Sequence, residues 1–149
     1  MEILEAAYPV MFTRWALRPD SGGAGRFRGG LGAIYEIELL EEEADAFIFG
    51  ERGRFPPQGV AGGGPAALNR FRWRSGGRWR TPPMASKMVG IRLRRGDRVR
   101  LETPGGGGYG PAGRRDGSAI ESDLRLGYVT RRSTGARRRR ASGTRNGRR

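Results

Sequence analysis

Gly105-Gly106-Gly107-Gly108-Tyr109-Gly110 satisfies the spacing G-x-G-x-x-G and follows an apolar stretch that reads as a strand, which is half of a dinucleotide-binding fingerprint. The other half is missing. A helix should open inside the glycines and an acidic residue should close a second strand, but Pro111, Gly113 and Arg114-Arg115-Asp116-Gly117 follow instead. What remains is a glycine loop whose backbone N–H groups can approach an anion or another chain closely. The sole lysine, Lys87, follows Ser86 rather than a glycine, so there is no Walker phosphate loop. Cysteine and histidine are both absent, which removes thiolate nucleophiles, Cys/His zinc sites, disulfides and Ser-His-Asp triads by inventory. Carboxylates are the catalytic type left. Glu36, Glu38 and Glu41-Glu42-Glu43 fall where solvated strand and turn positions are expected, so surface charge is the preferred reading over a Mg²⁺ site, and no metal ligand is assigned.

Two basic features invite a nucleic-acid reading. Arg70-Phe71-Arg72-Trp73-Arg74 and Arg78-Trp79-Arg80 interleave arginines with aromatics, a pattern that can stack bases, although an amphipathic hairpin packing its rings downward explains it more simply. The formal net charge is +14, yet nine of the 29 basic residues lie in residues 131–149, where there is no acid. Residues 1–130 are only mildly basic, and the tail could add nonspecific affinity through counterion release. Its Arg, Gly, Ser, Thr and Ala content reads as disordered. That composition is also what GC-rich DNA yields when translated out of frame.

The elements that must position these residues read as mainly β. Ala7 to Leu17 suits one long strand or two short ones, with Pro9 at an edge or strand start. Leu31 to Leu40 alternates Ala33, Tyr35, Ile37 and Leu39 against Ile34, Glu36, Glu38 and Leu40, and Glu41 to Asp45 is the right length to join it in a hairpin to Ala46–Phe49. Pro56, Pro57 and the glycines of residues 52–64 forbid regular structure there. Ser75-Gly76-Gly77 turns a hairpin between the two Arg/aromatic runs, whose contribution to a core is expected to be modest. Met88 to Glu102 reads as a hairpin or β-corner about Arg95-Gly96-Asp97-Arg98. Ser118 to Leu126 is the one good helix, opened by a Ser118/Glu121 capping box and closed by Gly127. The expectation is one domain over residues 1–130, an antiparallel sandwich or distorted barrel with Gly/Pro-rich loops and one short C-terminal helix, followed by the tail at 131–149. With no apolar run of about 18 residues and no signal-peptide pattern, no membrane span is expected and the cytoplasm is the default compartment.

Tyr8-Pro9, the run from Leu17 to Gly32 that contains Arg18-Pro19-Asp20-Ser21-Gly22-Gly23-Ala24-Gly25, Arg54-Phe55-Pro56-Pro57-Gln58-Gly59-Val60-Ala61-Gly62-Gly63, Ser86-Lys87, Gly96-Asp97, Glu102-Thr103-Pro104-Gly105 through Gly110, and Gly127-Tyr128-Val129 occur in this order. Together they resemble the C-terminal portion of the hydantoinase B/oxoprolinase family over nearly all of residues 3–131. The resemblance implies part of an ATP-dependent hydrolase that opens cyclic amides such as 5-oxoproline or hydantoins, with ketone carboxylases as relatives. It implies as partners an upstream hydantoinase B-like segment and a hydantoinase A-like subunit, with ATP and a divalent metal belonging to the full assembly and no cofactor on this chain. No catalytic residue carries over. The loops that match the family pattern are Asp20, Ser21, Gly22, Gly23 and Gly25, and Gly105, Gly106, Gly107, Gly108 and Tyr109, which the resemblance places near a substrate, phosphate or subunit contact.

The leading expectation is therefore a split subunit or truncated product of such an enzyme, inactive alone. The competing readings are a small nucleic-acid-binding protein using the Arg70–Arg80 hairpin and the tail, and a docking module with no chemistry of its own.

Overall fold

Seven stretches of alternating or β-favouring residues are extended in the computed structural model, which describes residues 1–133. The strands are β1 (Val10–Leu17), β2 (Ala33–Leu39), β3 (Glu43–Phe49), β4 (Arg70–Ser75), β5 (Arg78–Arg80), β6 (Lys87–Arg94) and β7 (Arg98–Glu102). They form two antiparallel sheets, one ordered β1-β2-β7-β4-β5 and the other β3-β6, and neither closes into a barrel. Of the two architectures expected, the sandwich is the one formed. Leu39, Phe71 and Trp73 of the larger sheet are buried together with Ile91 and Leu93 of the smaller, and Ala46, Ile48, Val99 and Leu101 pack around them.

Alternation carries the opposite face of the larger sheet. Glu36 and Glu38 on β2, Arg98, Arg100 and Glu102 on β7, and Arg70 and Arg72 on β4 form an ion-pair ladder across three strands. Arg98 Nη2 lies 2.6 Å from Glu38 Oε2, and this bond leads the causes that raise the Arg98 pKa above its ordinary value. Glu102, 6% exposed, receives Arg72 at 3.2 Å and Arg100 at 3.1 Å.

Several expectations are corrected. Residues 31–40 and 46–49 do not form a hairpin: β1 and β7 occupy both edges of β2, so β3 crosses to the second sheet and pairs with β6. The segment 88–102 is a β-corner, since β6 and β7 belong to different sheets; Gly96 takes φ 83° there and Asp97 accepts from the Arg94 N–H at 3.0 Å. The β4–β5 hairpin forms as expected, with Gly76 and Gly77 both at positive φ as a two-residue turn requires. Its contribution to the core is large rather than modest. β4 lies inside the sheet between β7 and β5, and Phe71 and Trp73 are 5% and 8% exposed. Within residues 7–17 a single edge strand forms, β1 from Val10 onward, with a bulge between Phe12 and Arg14; Ala7 instead ends an unforeseen helix α1 (Glu2–Ala7).

The described residues cluster into two compact units. One takes residues 1–17, 33–56 and 68–104 and contains both sheets; the other takes 18–32, 57–67 and the described residues from 105 onward. Helix α2 (Gly117–Arg125) belongs to the second. It begins one residue earlier than its expected capping box, because Asp116 accepts from both the N–H and the hydroxyl of Ser118 at 2.8 Å and so takes the cap that the sequence assigned to Ser118. Gly127, at φ 70°, follows its end and donates to Leu124. Residues 131–133 add a helical turn, and the rest of the tail lies outside the described residues.

Candidate functional site

The second unit brings together the two glycine loops that the sequence singled out, and adds a third. Gly23 donates to Gly106 at 2.9 Å, Gly106 to Gly30 at 2.9 Å, and Gly108 to Gly64 at 2.9 Å, while Gly64 donates back to Ala24 at 2.6 Å. Segments 21–30, 58–64 and 105–110 thus run at backbone contact distance, held by main-chain hydrogen bonds instead of side-chain packing. Glycine is required by close approach. A Cβ on Gly107 would overlap the Gln58 carbonyl, one on Gly63 the Gly108 carbonyl, and one on Gly25 would sit 2.6 Å from the Tyr109 oxygen.

Asp20 and Ser21 fasten this arrangement. Asp20, at φ 60°, accepts from the Thr130 N–H at 2.9 Å and the Thr130 hydroxyl at 2.8 Å, and its own N–H donates to Tyr128. Ser21 is fully buried; its hydroxyl donates to the Arg18 carbonyl at 2.6 Å and accepts from Gly32 at 2.8 Å, while its carbonyl accepts from Ala67. Gly22 is packed where a Cβ would overlap the Gly29 carbonyl, and one on Gly105 would lie 2.5 Å from the Ser21 oxygen. The N–H groups of Gly23, Gly106, Gly108 and Tyr109 are all donated within the unit.

What the loops present outward is apolar. Tyr109 pairs with Phe27 in an antiparallel bridge and with Val60 in a parallel one. All three side chains are more than half exposed, with the Phe27 and Tyr109 rings 6.3 Å apart and the Arg26 guanidinium 5.3 Å from the Phe27 ring. Phe27 and Val60 lie within the family-like runs but, unlike Tyr109, are not among the expected contact residues, because nothing in the spacing aligns three loops distant in sequence.

A second feature escaped sequence reading. Asp123 on α2, 7% exposed, receives Arg28 in a two-pronged pair (Nε–Oδ2 3.1 Å, Nη2–Oδ1 3.2 Å) and Arg115 Nη2 at 2.7 Å. Arg28 also donates to the Gly29 carbonyl and stands 5.4 Å from the Tyr128 ring. One carboxylate therefore locks α2 to the glycine loops.

The Arg/aromatic hairpin is not a base-stacking surface. Phe71 and Trp73 lie in the core, Arg70 and Arg72 face Glu102, and Arg72 covers the Trp79 ring at 5.4 Å. The nucleic-acid reading loses its folded half; its other half, the tail beyond residue 133, is outside the described residues. No group of three or more metal-ligating side chains occurs among the described residues, and no helix there is long and apolar enough to cross a membrane.

Comparison with known proteins places this geometry in context. The family model of hydantoinase B/oxoprolinase matches residues 1–112. Caprolactamase subunit beta of Pseudomonas jessenii is 37% identical over 145 residues, covering 87% of this chain and 23% of the relative. A 5-oxoprolinase of Dictyostelium discoideum is 36% identical over 112 residues, which is 74% of this chain but 8% of the relative. The solved ATP-dependent caprolactamase of P. jessenii superposes with a TM-score of 0.74 at 32% identity, over 87% of this chain and 23% of that one. Nucleotide-free acetone carboxylase gives a TM-score of 0.80 at 23% identity, a likeness of fold. The chain spans less than a quarter of the length of these relatives.

Proposed function

Since the chain belongs to the hydantoinase B/oxoprolinase family, we propose that it is a segment of an ATP-dependent cyclic-amide hydrolase of the 5-oxoproline or hydantoin class, inactive by itself. The observation that carries this is the partial span: a chain matching about a quarter of caprolactamase subunit beta, with a fold that superposes on that enzyme, has the scaffold of such a protein and only part of its length. In this reading the partners are an upstream hydantoinase B-like segment and a hydantoinase A-like subunit, and the compartment is the cytoplasm.

Asp20, Ser21, Gly22, Gly23, Gly25 and Gly105–Tyr109 enter as the rigid frame of a subunit contact. The amides of Asp20, Gly23, Gly106, Gly108 and Tyr109 are donated internally, while Phe27, Val60 and Tyr109 offer three exposed apolar side chains that a partner would cover. The donor set does not fit a divalent ion, because Glu36, Glu38, Glu102 and Asp123 face guanidinium groups. The reading accordingly assigns ATP and metal to other parts of the assembly, and this chain's contribution is scaffold and contact.

The test is reconstitution. The full chain is co-purified with an upstream hydantoinase B-like segment and a hydantoinase A-like partner, and ATP-dependent hydrolysis of 5-oxoproline and hydantoin is measured. Activity that requires all three supports the proposal. A folded chain that enters no complex sinks it. Phe27→Ser combined with Tyr109→Ser should abolish co-purification while leaving the melting temperature of the isolated chain within about 2 °C, as expected for exposed positions.

A further inference from the structure

In the sheet-bearing unit, Gly50–Phe55 and Pro83–Lys87 enclose an open cleft of about 760 Å³ that no role above accounts for. Its walls are tied together. Gly50 donates to the Ser86 carbonyl at 2.8 Å, the Ser86 hydroxyl donates back to the Gly50 carbonyl at 3.3 Å, and Ser86 is 2% exposed. Gly53 sits where a Cβ would overlap the Ser86 hydroxyl, and one on Gly50 would lie 2.6 Å from the Asn69 amide nitrogen. The backbone is strained on both walls: Arg52 has φ 61° and Ala85 φ 47°, left-handed conformations that glycine adopts freely and a residue with a Cβ does not.

The side chains around the cleft have one sign in excess. Arg52, Arg54 and Lys87 line it with a single acid, Glu51, whose largely exposed carboxylate lies 3.2 Å from Lys87 Nζ. Arg52 makes no ion pair among the described residues, and Arg54 stands over the Phe55 ring at 5.5 Å. Phe55, Pro83 and Met84 supply an apolar wall. A left-handed position filled by arginine, where glycine would be cheaper, is explained if the guanidinium itself is needed. We propose that this cleft binds a carboxylate carried on an aliphatic body, with Arg52 and Lys87 holding the anion and Phe55, Pro83 and Met84 covering the chain. A bare oxyanion would leave that apolar wall unused, and an uncharged aliphatic would leave the Arg52 guanidinium without a counter-charge.

The test uses the ¹⁵N-labelled full chain titrated with hexanoate, and in parallel with 1-hexanol and with inorganic phosphate. Hexanoate should shift amides of residues 50–55 and 85–87 in a saturable way and bind more tightly than either comparison compound. Arg52→Gly removes the guanidinium and relieves the left-handed strain together, so it should weaken hexanoate binding about tenfold, the worth of one charge-assisted hydrogen bond, while the melting temperature holds or rises. Lys87→Met should weaken binding similarly. Unsaturable or scattered shifts, phosphate or hexanol binding as well as hexanoate, or an Arg52→Gly variant that binds hexanoate as well as the parent would each overturn the proposal.

Discussion

Replacing Asp123 by asparagine keeps the shape of the side chain and removes the charge that two nearly buried arginines share. The Arg28 and Arg115 side chains are each 14% exposed and the Asp123 side chain 10%, so solvent can compensate little of what is lost. Breaking a buried ion pair from one side costs about 3–5 kcal/mol, because the remaining charge stays desolvated. Residual exposure puts the expectation at the lower end, about 3 kcal/mol. Against a total stability of about 5–15 kcal/mol for a domain, that is a large fraction. At roughly 4 °C per kcal/mol for a chain of this size, the melting temperature should fall by roughly 12 °C. Urea denaturation followed by circular dichroism gives the free energy, and amide hydrogen exchange gives the location: protection should collapse first in residues 117–130, since α2 is only nine residues long and is held by this contact. Replacing Arg28, Arg115 and Asp123 together by apolar residues should cost much less than the single change, as removing the whole buried cluster leaves no orphaned charge. A loss below about 1 kcal/mol for Asp123→Asn, the range of exposed pairs, would refute the claim that this carboxylate anchors the helix.

Gly107→Ala forces a methyl group into the Gln58 carbonyl; since backbone rather than a flexible side chain must move, folded yield and stability should drop more than for Gly113→Ala, where a Cβ meets nothing, as thermal melting of the two variants would show. The Ser118 bonds hold the Asp116 carboxyl below its ordinary pKa of 3.8, so this cap contributes fully above that value and its contribution is lost as pH falls through the lowered one. Asp116→Asn should therefore flatten the acid limb of the stability–pH profile, read by urea titration at stepped pH.

Strand identity and turn chemistry were legible from short-range pattern. The alternation of residues 33–40, the paired glycines at 76–77 and the Gly127 helix stop each act within a few residues, so local sequence suffices to state them. Residue inventory alone excluded thiol, histidine and disulfide chemistry. The order of glycine-rich motifs carried the family likeness, since those glycines are demanded by backbone approach that a side chain would block.

Partners across the chain were beyond that reach. Period-2 patterning states that a strand has an apolar face but not which neighbour it finds, so β3 was assigned to β2 although its edge is taken by β1 and β7. For the same reason the weight of Phe71 and Trp73 in the core is not legible locally: it follows from the place of β4 inside the sheet. Asp123 carries no local signal; its worth depends on Arg28, 95 residues away, and on the desolvation that only folding supplies. Local sequence fixes what each residue is able to do, and the three-dimensional neighbours decide which of those abilities has a counterpart.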